Sequence, residues 1–323
     1  MKHRALYFVF LSVSFFFACS EKDNLENIRP EELEEGTIIR LTFKNYLDNS
    51  ENIHPKVLYF ENGWNGFSFW MAYTPYPLGD ITAENPCIGV SSDGLEWFVP
   101  GNLVNPLASV PDNGYNSDTH LVYDEENDRM ELWWRTYDND LGDSIYRRIS
   151  QDGENWTSAE IVIDFGEIPG LILSPAVWKE GNSYIMVYSD GFVLKSMEGY
   201  YLDSSWYWND PETISVDWQG KRAWHQDVIK REDGNWIIIV QAFNLEENNN
   251  SSDLYYVLWD PVLQEASHPV GIVNRGEAGK FDERSVYRSS VVKVNDKYYL
   301  YYSCIDDAWH RHMMLKVIPL ASF

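Results

Sequence analysis

From residue 36 onward, apolar positions fall in short alternating stretches rather than at helical intervals, and the stretches recur as a unit. Five segments share a polar residue, two further residues and an apolar pair. They are His54-Pro-Lys-Val57-Leu58, Asp118-Thr-His-Leu121-Val122, Ser174-Pro-Ala-Val177-Trp178, His225-Gln-Asp-Val228-Ile229 and Arg288-Ser-Ser-Val291-Val292. Their polar anchors lie 64, 56, 51 and 63 residues apart. A polar turn follows each, such as Glu61-Asn62-Gly63 or Glu232-Asp233-Gly234-Asn235. A second strand comes next, at 67–73, 130–136, 183–188, 236–242 and 297–304. These runs are rich in aromatic and β-branched residues, which pack well on a pleated, half-buried surface. A third strand is predicted at 86–91, 144–150, 192–197, 254–258 and 313–318. In the first two units it runs into twins of the form S-x-D-G-x-x-W, Ser91 to Trp97 and Ser150 to Trp156. Asp-Gly makes a tight turn there, and the Trp can fold back on the hairpin.

Units of three or four short strands, repeated every 51–64 residues, specify an all-β fold, a five-bladed β-propeller. The fifth unit ends at its third strand. Residues 37–43 (TIIRLTF) are therefore predicted to join the last blade and close the ring, leaving no long free edge. The propeller is predicted over 36–323, with no second domain.

The chain carries 14 Trp, 21 Tyr and 15 Phe, enough for a sizeable core. Acidic residues outnumber basic ones 50 to 25, a formal charge of −25. Such a surface is repelled by phosphate backbones, which argues against a nucleic-acid partner. Cys87 and Cys304 lie in strand-like runs and are expected as buried free thiols. At the N-terminus, Lys2, His3 and Arg4 precede an apolar run from Ala5 to Phe17, too short to span a bilayer comfortably. It is expected to be a signal peptide over 1–18. The following Phe16-Phe17-Ala18-Cys19 resembles a bacterial lipobox, which implies lipidation at Cys19 and a polar tether over 19–35. A monomer held by its lipid anchor at the outer membrane or cell surface is expected, with a periplasmic location as the alternative.

Inner propeller strands line the axis, and positions i and i+2 share a strand face. The anchors then form one ring (His54, Asp118, Ser174, His225, Arg288), with Lys56, His120, Ala176, Asp227 and Ser290 forming a second. Burying such groups is costly unless they are paired or face a solvated pocket. A polar pocket on the axis is one account, and a structural plug of paired groups is the other. Glu84, Trp224, Tyr287 and Tyr73 are placed on loops above the ring, where aromatic faces can stack on sugars.

The segments H-P-K-V-L-Y-F, E-N-P-C-I and Y-N-S-D-T-H-L-V-Y-D resemble the five-bladed propeller glycosidases, glycoside hydrolase families 43, 32 and 117, in the form of a Bacteroidetes-type surface lipoprotein. That resemblance implies an enzyme acting on the O-glycosyl bonds of a complex glycan or polysaccharide. His54-Pro55 stands where family 43 has an Asp-Pro pair whose Asp is the general base. His120 stands where that family has the Asp that tunes the acid, and Leu173-Ser174-Pro175 matches the stretch that carries its acidic Glu. None of the three catalytic residues is carried over.

Hydrolysis by two carboxyl groups would then use Asp118 or Glu84 as base or nucleophile, with Asp227 or His225 as acid. His54, His120, Trp224, Tyr287, Arg288 and Tyr73 would bind the carbohydrate. A non-catalytic glycan-binding lipoprotein and a protein-binding scaffold are the competing functions. No organic cofactor is expected. Three histidines and two aspartates near the axis can also hold a divalent ion such as calcium.

Overall fold

The computed structural model describes residues 33–244, 251–319 and 322–323. The expected signal peptide and Cys19 lie outside the described residues. Strand β1 (Ile38–Leu41) comes first in the chain but belongs to the last blade. Blade one is β2 (Asn52–Trp64), β3 (Phe67–Pro75) and β4 (Cys87–Ser91), and blade two is β5 (Gly114–Asp124), β6 (Arg129–Asp138), β7 (Gly142–Ser150) and β8 (Glu160–Ile163). Blade three is β9 (Leu173–Glu180), β10 (Ser183–Asp190), β11 (Val193–Leu202) and β12 (Ser205–Trp208), with β13 (Glu212–Thr213) also on β11. Blade four is β14 (Lys221–Lys230), β15 (Trp236–Asn244), β16 (Ser252–Asp260) and β17 (Glu265–Ala266), with β18 (Val270–Val273) also on β16. Blade five is β19 (Ser285–Val294), β20 (Lys297–Ile305) and β21 (Arg311–Pro319), completed by β1. The inner strands β2, β5, β9, β14 and β19 touch their neighbours in sequence around the ring.

Closure is as expected: Ile38 to Leu41 pair antiparallel with Lys316 to Met313. Docking begins earlier than residue 36, because Leu33 is buried and its carbonyl accepts a bond from Lys297 Nζ at 2.7 Å.

Five apolar clusters fill the five blade interfaces. Strand alternation sorts the side chains between them. Trp133 faces blade three, whereas its neighbour Trp134 faces blade one. Ile237 and Ile239 face blade five, whereas Ile238 and Val240 face blade three. Each such side chain contributes about 1.5–3 kcal/mol on burial, which makes the blade interfaces the main source of stability.

The twin turns are nearly identical. Asp93 Oδ1 accepts from the Leu95 and Glu96 amides, and Asp152 Oδ1 accepts from those of Glu154 and Asn155. Ser91 and Ser150 accept from the Gly94 and Gly153 amides, while Trp97 and Trp156 donate to the same glycines' carbonyls. Gly153 has φ +76° and lies against Trp70, where a Cβ would come within 2.0 Å of the indole. Cys87 and Cys304 are buried free thiols, as expected.

Candidate functional site

All five inner strands shift register at the anchor: between Ile53 and Lys56, Ser117 and His120, Leu173 and Ala176, Ala223 and Gln226, and Val286 and Ser289. A bulge bends the strand and re-aims the side chain. In β2, β5 and β9 the anchor is the first bulged residue and sits in the left-handed region, with φ of +55° at His54, +53° at Asp118 and +52° at Ser174. In β14 and β19 the anchors His225 and Arg288 are the second bulged residues. Positive φ at such side chains is strained, and here it recurs at three residues that converge on one point.

Asp118 is the hub. His54 Nε2 and His225 Nδ1 each lie 3.5 Å from its Oδ1. Ser174 Oγ donates to the same oxygen at 2.7 Å and Arg288 Nη1 at 3.2 Å. Ser174 N and Ser117 Oγ donate to Oδ2 at 3.2 and 3.3 Å. Ser174 Oγ also makes a close hydrogen bond with His225 Nδ1. Glu84 Oε2 approaches His54 Nδ1 at 3.6 Å. Tyr287 packs on both histidine rings, with centroids 5.6 Å from His54 and 4.4 Å from His225.

His54, Asp118 and His225 are only 2%, 1% and 3% exposed. Burial pushes both imidazoles below their usual pKa, against the pull of Asp118. Burial alone would raise the Asp118 carboxyl, but His54, His225 and Arg288 outweigh it and hold Asp118 well below the usual range. Glu84 moves the other way: burial and the Asp118 charge push it well above the usual carboxylate range, against Arg135 and Arg311.

His54, Asp118 and His225 each offer a ligand atom, and these lie within 4.8 Å of one another. Nε2 of both histidines is buried without a hydrogen-bond partner. Two imidazoles and a carboxylate form a donor set that suits a divalent cation, so the residues fit such an ion.

The second ring does not join this cluster. Asp227 pairs with Lys56 Nζ at 2.6 Å and accepts from the Val291 amide, and His120 Nε2 is bonded to the Val177 backbone. These groups lie farther along their strands, toward a cavity of about 1060 Å³ at the opposite end of the channel. Tyr73, expected as a sugar platform, is 1% exposed and packs edge-on against Phe43 in the core between blades one and five. Strand alternation turns it inward, whereas Tyr76 is half-buried under the Arg311 guanidinium at 4.8 Å. Trp224 is half-buried and flanks His225.

Sequence reasoning missed Arg135, whose Nη1 reaches Ser117 Oγ at 3.1 Å and Asp118 Oδ2 at 4.0 Å, and which pairs with Asp143 at 2.6 Å. Its signal was present, a lone charge after the apolar run Leu132-Trp133-Trp134. Arg311 opens the third strand of its blade, so no anchor pattern pointed to it.

No protein-family model matches the chain. It is 27% identical over 285 residues to the A type blood N-acetyl-alpha-D-galactosamine deacetylase of Flavonifractor plautii. The alignment takes in 73% of this chain and spans about 37% of that relative's length. The crystal structure of an N-acetylgalactosamine deacetylase from F. plautii, in complex with blood group B trisaccharide, superposes with a TM-score of 0.69 at 21% identity, covering 88% of this chain and 94% of that one. A thermostable family-43 glycoside hydrolase gives a TM-score of 0.58 at 12% identity, covering 83% and 88%. The five-bladed fold is shared with the family-43 glycoside hydrolases, as the resemblance implied.

Proposed function

We propose that this chain is a carbohydrate deacetylase that hydrolyses the acetamide of an N-acetylated amino sugar on a glycan. The observation that carries this is the cluster of His54, Asp118 and His225, three ligand-competent groups from three blades with both Nε2 atoms free. The similarity to a deacetylase supports the same reaction. His54, Asp118 and His225 would hold the divalent ion, which supplies Lewis-acid polarisation of a carbonyl and a more acidic bound water. Asp118 also fixes the two rings that flank it, and Arg288 and Ser174 hold its carboxylate in place. Glu84, beside His54, can take a proton from the attacking water and pass it to the departing nitrogen. The C–N bond breaks, the water oxygen ends on acetate, and the sugar keeps an amine.

Glycoside hydrolysis is the alternative. A protonated Glu84 near an ionised Asp118 is the pairing that reaction uses. Against it, Asp118 already accepts from Ser174, Arg288 and Ser117 and is enclosed, which leaves little room for it as a nucleophile. Asp227, as the acid, is committed to Lys56. The basic and apolar run ending in Ala18-Cys19 supports a lipid-anchored protein acting on glycans at the cell surface.

Incubation with N-acetylgalactosamine-bearing oligosaccharides and with aryl-glycosides separates the two reactions. Acetate without new reducing ends supports deacetylation. New reducing ends without acetate support glycoside hydrolysis, and neither product rules out both.

A further inference from the structure

We propose that Phe192 and Trp224, with the groove beside them, form a second saccharide subsite for the sugar adjoining the one that is deacetylated. This rests on the deacetylase reading for what occupies the first subsite. Phe192 lies in the turn between β10 and β11 with φ +79°. A bulky aromatic residue rarely adopts that conformation, and such strain persists only where the surroundings enforce it. Here the turn lays the Phe192 ring against Trp224, with centroids 5.0 Å apart, and the Arg222 guanidinium covers Phe192 at 5.2 Å. Trp224 in turn abuts His225 of the cluster at 6.0 Å and is backed by Phe243 at 6.2 Å.

The aromatic surface thus runs outward from the cluster without a break. Both rings are half-buried, so part of each remains open. Beyond Phe192, on the side away from Trp224, lies a cavity of about 380 Å³, lined also by Val193, Ile214, Val216, Ser215, Asp217 and Trp218. A wall of two aromatic and several aliphatic side chains, with hydroxyl and carboxylate groups among them, suits a pyranose, which presents an apolar C–H face and a polar rim. A protein partner would not explain why the ledge begins at His225. The chemistry therefore points to an oligosaccharide rather than a single sugar.

Calorimetric titration of the protein with N-acetylgalactosamine, and with a trisaccharide ending in that sugar, tests the subsite without needing turnover. Wild type is expected to bind the trisaccharide at least about tenfold more tightly than the monosaccharide. Phe192→Ala should collapse that ratio towards one, Phe192→Tyr should restore it, and Trp218→Ala, on the groove wall, should reduce it if Phe192→Ala fails to fold. An equal ratio in wild type and the variants overturns the subsite. Acetate release is scored separately: its absence, with the binding ratio intact, removes the deacetylase reading and leaves the subsite standing.

Discussion

His54 Nε2 lies 3.5 Å from Asp118 Oδ1, although 64 residues separate the two in the chain. The contact exists because two neighbouring inner strands bulge at the same level, each turning its anchor into the left-handed region and toward the axis. Asp118→Asn keeps the shape but removes the charge that orders His54, His225 and Arg288. Activity is expected to fall by about 10²–10³, as for loss of a preorganised charged group. Circular dichroism on the same sample shows whether the fold survives. An active variant would remove Asp118 from the centre.

Lys56 and Asp227 form a separate buried pair at 2.6 Å. Lys56→Met leaves the carboxylate unpaired, at an expected cost of about 3–5 kcal/mol. Adding Asp227→Asn to that variant should recover part of the loss in a thermal melt. If Asp227 serves only this pair, the folded fraction of Asp227→Asn keeps its turnover.

Asp152 titrates at about 2, because the side chain of Asn155 and the amides of Glu154 and Asn155, with Ser150, outweigh slight burial. Its folded pKa lies below its unfolded value near 3.9, so its contribution is full above that value and is lost as pH falls through about 2. Solvent screening limits it to about 1 kcal/mol. The gap in melting temperature between wild type and Asp152→Ala should therefore be widest near neutral pH and close by pH 2.

Gly153 and Gly166 both have positive φ, +76° and +71°, but only Gly153 faces a packed indole. Gly166→Ala has open space and pays only for backbone conformation, about 1–2 kcal/mol. Gly153→Ala must also displace the fully buried Trp70, which adds about 1–3 kcal/mol. Equal melting temperatures for the two variants would contradict this packing.

The blade count and the anchor ring were legible because each rests on a local pattern repeated five times, and the closing strand because the fifth unit ends at its third strand. His54, Asp118, His225 and Arg288 stood out as polar groups where apolar ones were expected. The bulges were not legible, since alternation assigns Lys56, His120 and Asp227 to the same face as the anchors. In the structure the shifted register leaves those residues in a layer with partners of its own. Tyr73 and Tyr76 look alike in sequence, and only the end of β3 at Pro75 separates a core ring from a half-buried one. Arg135 and Arg311 reach the site from second and third strands, where no repeat marks them.

The most direct test is acetate release from an N-acetylgalactosamine oligosaccharide by the protein before chelation, after chelation and after return of a divalent cation. The account predicts that release stops on chelation, returns with the cation, and is absent from His225→Ala under all three conditions. Acetate release that persists through chelation, or release of reducing sugar with no acetate, would contradict it.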